Sequence, residues 1–117
     1  MNKKLILVIL VIIIFCYWQN NYLSESYYTY SGSRIDSALE GLRIVQISDL
    51  HNKRFGKEQG RLLDRLRAYA PDMIVLTGDI VDSNRPNIDI AMELIEGAVE
   101  IAPVYYITGN HENWLEA

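Results

Sequence analysis

Cysteine is almost missing from this chain. The only one, Cys16, stands inside an apolar run, so no internal disulfide can form and cysteine usage does not reveal the redox compartment. Phe15 precedes it where lipoprotein processing wants a small residue. No Ala-x-Ala follows the run, only Ser24-Glu25-Ser26 well beyond it. Basic residues are outnumbered, with 11 Lys and Arg against 15 Asp and Glu and a formal charge of -4. The balance is more negative still once Lys3 and Lys4 are set aside. Phosphate backbones call for a basic face, so nucleic acid is not an expected partner, and an anionic partner would need a metal or a local patch. No Gly-x-Gly-x-x-Gly or P-loop follows any apolar run, which disfavours a flavodoxin-like or nucleotide-binding domain. Histidine is scarce too, limited to His51 and His111. At 117 residues there is room for one domain at most.

What the chain does have, first, is a hydrophobic start. Two lysines precede an unbroken apolar or aromatic run from Leu5 to Trp18. Its roughly 14 residues would span about 21 Å as a helix, short of the ~30 Å hydrocarbon core. Tyr17, Trp18, Tyr22 and Leu23 are placed to lengthen it as interfacial anchors. An uncleaved signal anchor is the preferred reading over a cleaved signal peptide. The lysines then predict a cytoplasmic N-terminus and a domain outside the cytoplasm. Residues 24–40 are polar and tyrosine-rich. They read as a linker or as an edge strand turned at Ser31-Gly32-Ser33, with the edge strand preferred over a membrane-proximal stalk.

Beyond Gly41, three apolar stretches end in polar tips. Ile44 to Ile47 runs into Ser48-Asp49-Leu50-His51, Met73 to Thr77 into Gly78-Asp79, and Val104 to Thr108 into Gly109-Asn110-His111-Glu112. Between the first two, Leu62, Leu63, Leu66 and Tyr69 recur at helical spacing within residues 58–69, and Pro71 stops them. Between the last two, a helix is expected over residues 88–101, with Met92, Ile95, Val99 and Ala102 as its apolar stripe and Leu94 and Ala98 beside it. The second strand reads as buried on both faces. The loop of Lys53, Arg54, Gly56 and Lys57 reads as solvated. Strand, helix, strand, helix, strand implies right-handed crossovers and a parallel βαβαβ sheet. Asp49, His51, Asp79, Asn110 and His111 then emerge together at the carboxyl edge, where open α/β sheets bind ligands.

Two carboxylates, an amide oxygen and two imidazoles suit divalent metals. A pair of such ions about 3.5–4 Å apart can act on a phosphate ester, the natural substrate for that edge.

In order, spacing and strand context, Ser48-Asp49-Leu50-His51, Thr77-Gly78-Asp79-Ile80-Val81-Asp82 and Gly109-Asn110-His111-Glu112 resemble the first three signature blocks of the calcineurin-like metallophosphoesterases. The chain looks most like their bacterial membrane-anchored branch. The resemblance covers roughly Tyr27 to Glu112 and implies the N-terminal half of a metallophosphoesterase α/β sandwich behind a transmembrane or signal-anchor helix. It implies two divalent ions (manganese, iron or zinc), with Asp49 and His51 on the first, Asp79 bridging and Asn110 on the second. His111 would be catalytic, near the leaving group and not a ligand, while Asp82 and Glu112 would play supporting parts. The family hydrolyses phosphomonoesters, phosphodiesters or pyrophosphates.

The family pattern also needs a later Gly-His-x-His block that these 117 residues do not contain. The expectation is therefore an intact product that is a phosphoesterase, of which this chain alone hydrolyses little. Residues 1–23 read as the anchor, 24–40 as linker or edge strand and 41–117 as a partial phosphoesterase domain. The protein is expected in the cell membrane, single-pass, facing a phosphate ester for which a lipid-linked phosphate or an envelope pyrophosphate suits the anchor. The alternative reading is a non-catalytic, membrane-tethered interaction fragment whose incomplete sheet pairs with a partner.

Overall fold

The computed structural model of the chain describes residues 2–115. Met1 of the expected anchor and residues 116–117 of the expected domain lie outside them. Helix α1 (Lys3–Asn21) starts where the Asn2 side chain accepts the Lys4 amide, and none of its residues is buried. At 1.5 Å per residue its 19 residues extend about 28 Å. The helix continues beyond the apolar run and is long and apolar enough to cross a membrane.

Residues 22–32 carry no regular structure and enter no strand. Tyr27 is engaged elsewhere: its hydroxyl lies 2.9 Å from that of Tyr69, and both donate to the Glu25 carboxylate, while Tyr28 and Tyr30 stand exposed. The expected edge strand is replaced by a strap along the next helix.

The domain follows as β1 (Ile44–Ile47), α2 (Gly60–Tyr69), β2 (Met73–Leu76), α3 (Ile88–Val99), β3 (Val104–Tyr106) and α4 (Asn110–Asn113). The strands are parallel in the order β1-β2-β3, with Val45 opposite Ile74 and Val75 opposite Tyr105. One face of the sheet meets α2 and α3. Ile74 and Leu76 pack there with Leu62, Leu63, Leu66, Ala91, Leu94 and Ala98. Complete burial of Leu66, Ile74, Leu76 and Leu94 stabilises by about 1.5–3 kcal/mol each. The other face is open among the described residues: Met73 and Val75 are half-buried and Ile44 and Tyr105 exposed, so β2 is not covered on both sides.

The buried face of α3 also differs from the expected stripe. Ile90, Ala91, Leu94 and Ala98 turn inward while Met92 and Val99 face solvent. Gly97 explains the choice. A Cβ there would stand 2.3 Å from Leu63 Cδ1, so α3 presents its smallest surface to α2 and lets that leucine through.

Candidate metal centre

The first two polar tips alternate residues that face the carboxyl edge with residues that enter the core. Leu50 sits between Asp49 and His51, and Ile80 and Val81 follow Asp79; all three apolar side chains are buried in the core cluster. Anchored this way, the tips keep pairing after the strands end. Asp49 N donates to Gly78 O, His51 N to Asp79 O and Asn52 N to Ile80 O, at 3.0–3.1 Å.

That pairing requires left-handed backbone. Asp49 (φ 56), His51 (φ 46), Asn52 (φ 58) and Asp79 (φ 53) all have positive φ. Such conformations cost of order 1–3 kcal/mol for non-glycine residues and gather at functional sites. Three of the expected ligand residues are among the strained ones.

The side chains converge. His51 Nε2 lies 3.8 Å from Asp49 Oδ1, and the His51 and His111 rings stand edge-on with centroids 4.5 Å apart. Ligand atoms of His51, Asp79 and His111 all fall within 4.8 Å of one another. Asp49 falls outside this tightest group, its carboxylate taking a 2.5 Å hydrogen bond from Ser48 Oγ. Asn110 opens α4, exposed at the same edge. Neither Asp49 nor Asp79 pairs with a lysine or arginine among the described residues. Clustered carboxylates with no basic partner, beside two imidazoles, fit a divalent cation.

Glu112 bolts the second tip to the third. Its Oε2 accepts the amides of Asp79 and Gly109 at 2.8 Å each, and its Oε1 accepts Val81 N at 2.9 Å. Partial burial pushes this carboxyl up, but the N–H groups of Val81, Gly109 and Asp79 outweigh it and hold the group below the usual carboxylate range. The nearby Tyr106 hydroxyl is pushed up to about 12, first by burial and then by the Glu112 charge. Asp79 returns the connection, its Oδ1 accepting His111 N at 2.9 Å.

His111 Nδ1 accepts the Ser83 amide at 3.1 Å, with Ser83 Oγ at the same distance. A backbone N–H only donates, so while this bond stands the neutral ring carries its proton on Nε2. In that tautomer His111 offers the site a donor rather than a ligand lone pair. Asp82 Oδ1, 3.7 Å from Nδ1, pulls the other way. The Asn84 amide holds the Asp82 carboxyl below its ordinary value.

Three supporting residues carry little sequence signal. Asn52 links two loops, accepting Asp82 N and donating to Arg85 O. Ser83 is an ordinary loop serine. Gln59 is fully buried, holding the Phe55 amide and the Lys53 carbonyl at 2.9 and 2.7 Å. A glutamine just ahead of a leucine-rich helix was the only visible hint. The expected solvated loop is tied down at two further points: Arg54 pairs with Glu93 through two nitrogens, and Lys53 Nζ donates to the Asn20 carbonyl.

A family model described as calcineurin-like phosphoesterase matches residues 42–117. A transmembrane protein with metallophosphoesterase domain from Danio rerio is 29% identical over 92 residues, covering 71% of this chain and 21% of that protein. A subunit of the nuclease SbcCD from Staphylococcus saprophyticus is 30% identical over 88 residues, covering 62% and 23%. An uncharacterized metallophosphoesterase of Campylobacter jejuni is 26% identical over 80 residues, covering 67% and 21%. The chain thus spans less than a quarter of the length of the curated relatives it matches. No solved structure matches it.

Proposed function

The chain belongs to the calcineurin-like phosphoesterase family, and from that premise we propose that the intact protein is a membrane-anchored, metal-dependent hydrolase of phosphate esters or pyrophosphates. The observation that carries the reading is the convergence of His51, Asp79 and His111 at one sheet edge, with Asp49 and Asn110 beside them. Asp49 and His51 would hold a first divalent ion, Asp79 would bridge and Asn110 would hold a second, drawn from manganese, iron or zinc. Such ions, when bound, draw charge from phosphoryl oxygens and acidify water.

The protein's own residues do the rest. Strained backbone at Asp49, His51 and Asp79 fixes where their donor atoms point, so little reorganisation remains on binding. Asp79 Oδ1, held by the His111 amide, couples the Asp79 carboxylate to the third tip. His111, with Nδ1 engaged by Ser83, is oriented to give the Nε2 proton to a departing oxygen.

Lys3 and Lys4, the first two residues of α1, favour a cytoplasmic N-terminus and an extracytoplasmic domain, in one pass. A relative named as part of a nuclease raises nucleic acid as a substrate, but the formal charge of -4 counts against a phosphate-backbone footprint. With two histidines, both in the first three tips, residues 41–117 supply only part of a two-ion donor set and by themselves hydrolyse little.

The test uses the protein purified from its own membranes, loaded with manganese and given a chromogenic phosphodiester. Turnover that Asp79→Asn abolishes is expected. Equal turnover by the variant, or none by the wild type across a panel of mono-, di- and pyrophosphates, would sink the proposal.

A further inference from the structure

The route of the chain between α1 and β1 says which end of the domain meets the membrane. No residue of α1 is buried, so the helix projects from the domain instead of packing along it. Its last turn touches the domain where Lys53 donates to the Asn20 carbonyl, and Lys53 stands two residues beyond His51 in the loop leaving the first tip. Leu23 then packs against the core. Tyr22, Leu23 and Glu25 line a cavity of about 350 Å³ with Arg61, Asp64 and Arg65 of α2.

From there the strap runs away from the site. Arg65 Nε lies 3.5 Å from Glu25, and Tyr27 reaches Tyr69, the last residue of α2. Arg43, just before β1, donates to the Tyr69 carbonyl at 3.3 Å. The chain therefore leaves α1 at the carboxyl edge of the sheet and travels the length of α2, about 15 Å for its 10 residues, to enter β1 at the opposite edge.

Resting on the reading of α1 as a membrane span, we propose that the metal edge faces the bilayer surface and that its substrate is a phosphate ester carried by a lipid at headgroup height. Two further features agree. Trp18 and Tyr22, exposed at the outer end of α1, suit the interface, and so place Asn20 and the neighbouring first tip at that level. Lys53, Lys57 and Arg61 occupy the same edge, where anionic headgroups attract basic side chains. Asp49 and His51 are open to that side, with side chains 66% and 37% exposed.

The full chain, with Cys16→Ser, is reconstituted into phosphatidylcholine–phosphatidylglycerol vesicles containing a headgroup-nitroxide lipid. A bimane is attached either at Lys57→Cys, near the metal edge, or at Ala68→Cys, near the far end of α2. Quenching several-fold stronger at 57 than at 68 is expected; equal or reversed quenching overturns the orientation. Failure of the protein to float with the vesicles would instead overturn the membrane reading, and the proposal with it. In the second arm, the manganese-loaded protein from its own membranes is expected to cleave a vesicle-borne phosphate ester at least tenfold faster than a soluble ester with the same headgroup. Equal or faster cleavage of the soluble ester overturns the substrate assignment. Inactivity on both, with quenching as expected, refutes both the hydrolase function and the lipid-ester substrate but leaves the orientation standing.

Discussion

Gly78 and Gly109 meet backbone to backbone: a Cβ on Gly78 would stand 2.4 Å from Gly109 N, and one on Gly109 would stand 2.3 Å from Asp79 Oδ1. The second and third tips are thus as close as two chains can lie, and the site is assembled across that contact.

Gly78→Ala is the direct test. Its φ of +93 is strained for any side chain, and the neighbour it would strike is backbone, which has no rotamer to give. Strain and overpacking together should cost about 3 kcal/mol or more. Denaturant midpoints of the full chain in detergent, compared with wild type, measure it; a loss below about 1 kcal/mol would show that the tips separate easily.

Glu112→Gln should loosen the site without unfolding the domain. The amide keeps one oxygen for Asp79 and Gly109 but turns an N–H donor toward the Val81 amide, which is itself a donor. Residues that orient metal ligands typically change affinity about 10- to 100-fold. Manganese titration by calorimetry should show a loss in that range, with Tyr106→Phe staying within a few-fold of wild type.

The pairing of α2 with α3 predicts a compensating pair. Alanine at Gly97 gains about 0.5–1 kcal/mol of helix propensity but overpacks against Leu63 at a cost of about 1–3 kcal/mol, so Gly97→Ala destabilises on balance. Adding Leu63→Val should recover part of the loss. A thermal-melt double-mutant cycle with no coupling would remove the close approach as the reason for glycine there.

Acid should release the strap. Hydrogen bonds from Tyr69 first and Tyr27 next hold the Glu25 carboxyl below its ordinary value, with Arg65 adding to them. Its contribution is therefore complete above an unfolded glutamate value of about 4.3 and fades as pH falls through the lower folded value. The quenching contrast between positions 57 and 68 should shrink in that acid range, and Glu25→Gln should show the smaller contrast already at pH 7.

The apolar strands and their polar tips were legible because both signals are local: Ile44–Ile47 and Met73–Leu76 begin and end where the composition changes, while the third strand, Val104–Tyr106, stops short of the expected Thr108. The face of α3 was not, because Met92 and Val99 satisfy the same spacing as Ile90, Ala91 and Leu94, and only the approach of Leu63 to Gly97 decides between them. Helix α4 has four residues, too few for a period to show. Placing Asp49, His51, Asp79, Asn110 and His111 at one edge needed only topology. The holds of Glu112 on the Asp79 and Val81 amides and of the Ser83 amide on His111 depend on loops meeting across 28 to 33 positions of sequence, which no local pattern records.

The open face of the sheet has a consequence for how copies of this chain meet. Among the described residues β1 and β3 are the edge strands, and Ile44, Tyr105 and Ile107 are 54%, 59% and 64% exposed. Unpaired edges beside apolar surface invite association. On the membrane reading proposed above for α1, copies in one bilayer would carry at a common height whatever part of those edges the intact protein leaves unpaired, so encounters between them would follow the number of chains per unit of membrane area and hardly respond to dilution of the surrounding solution.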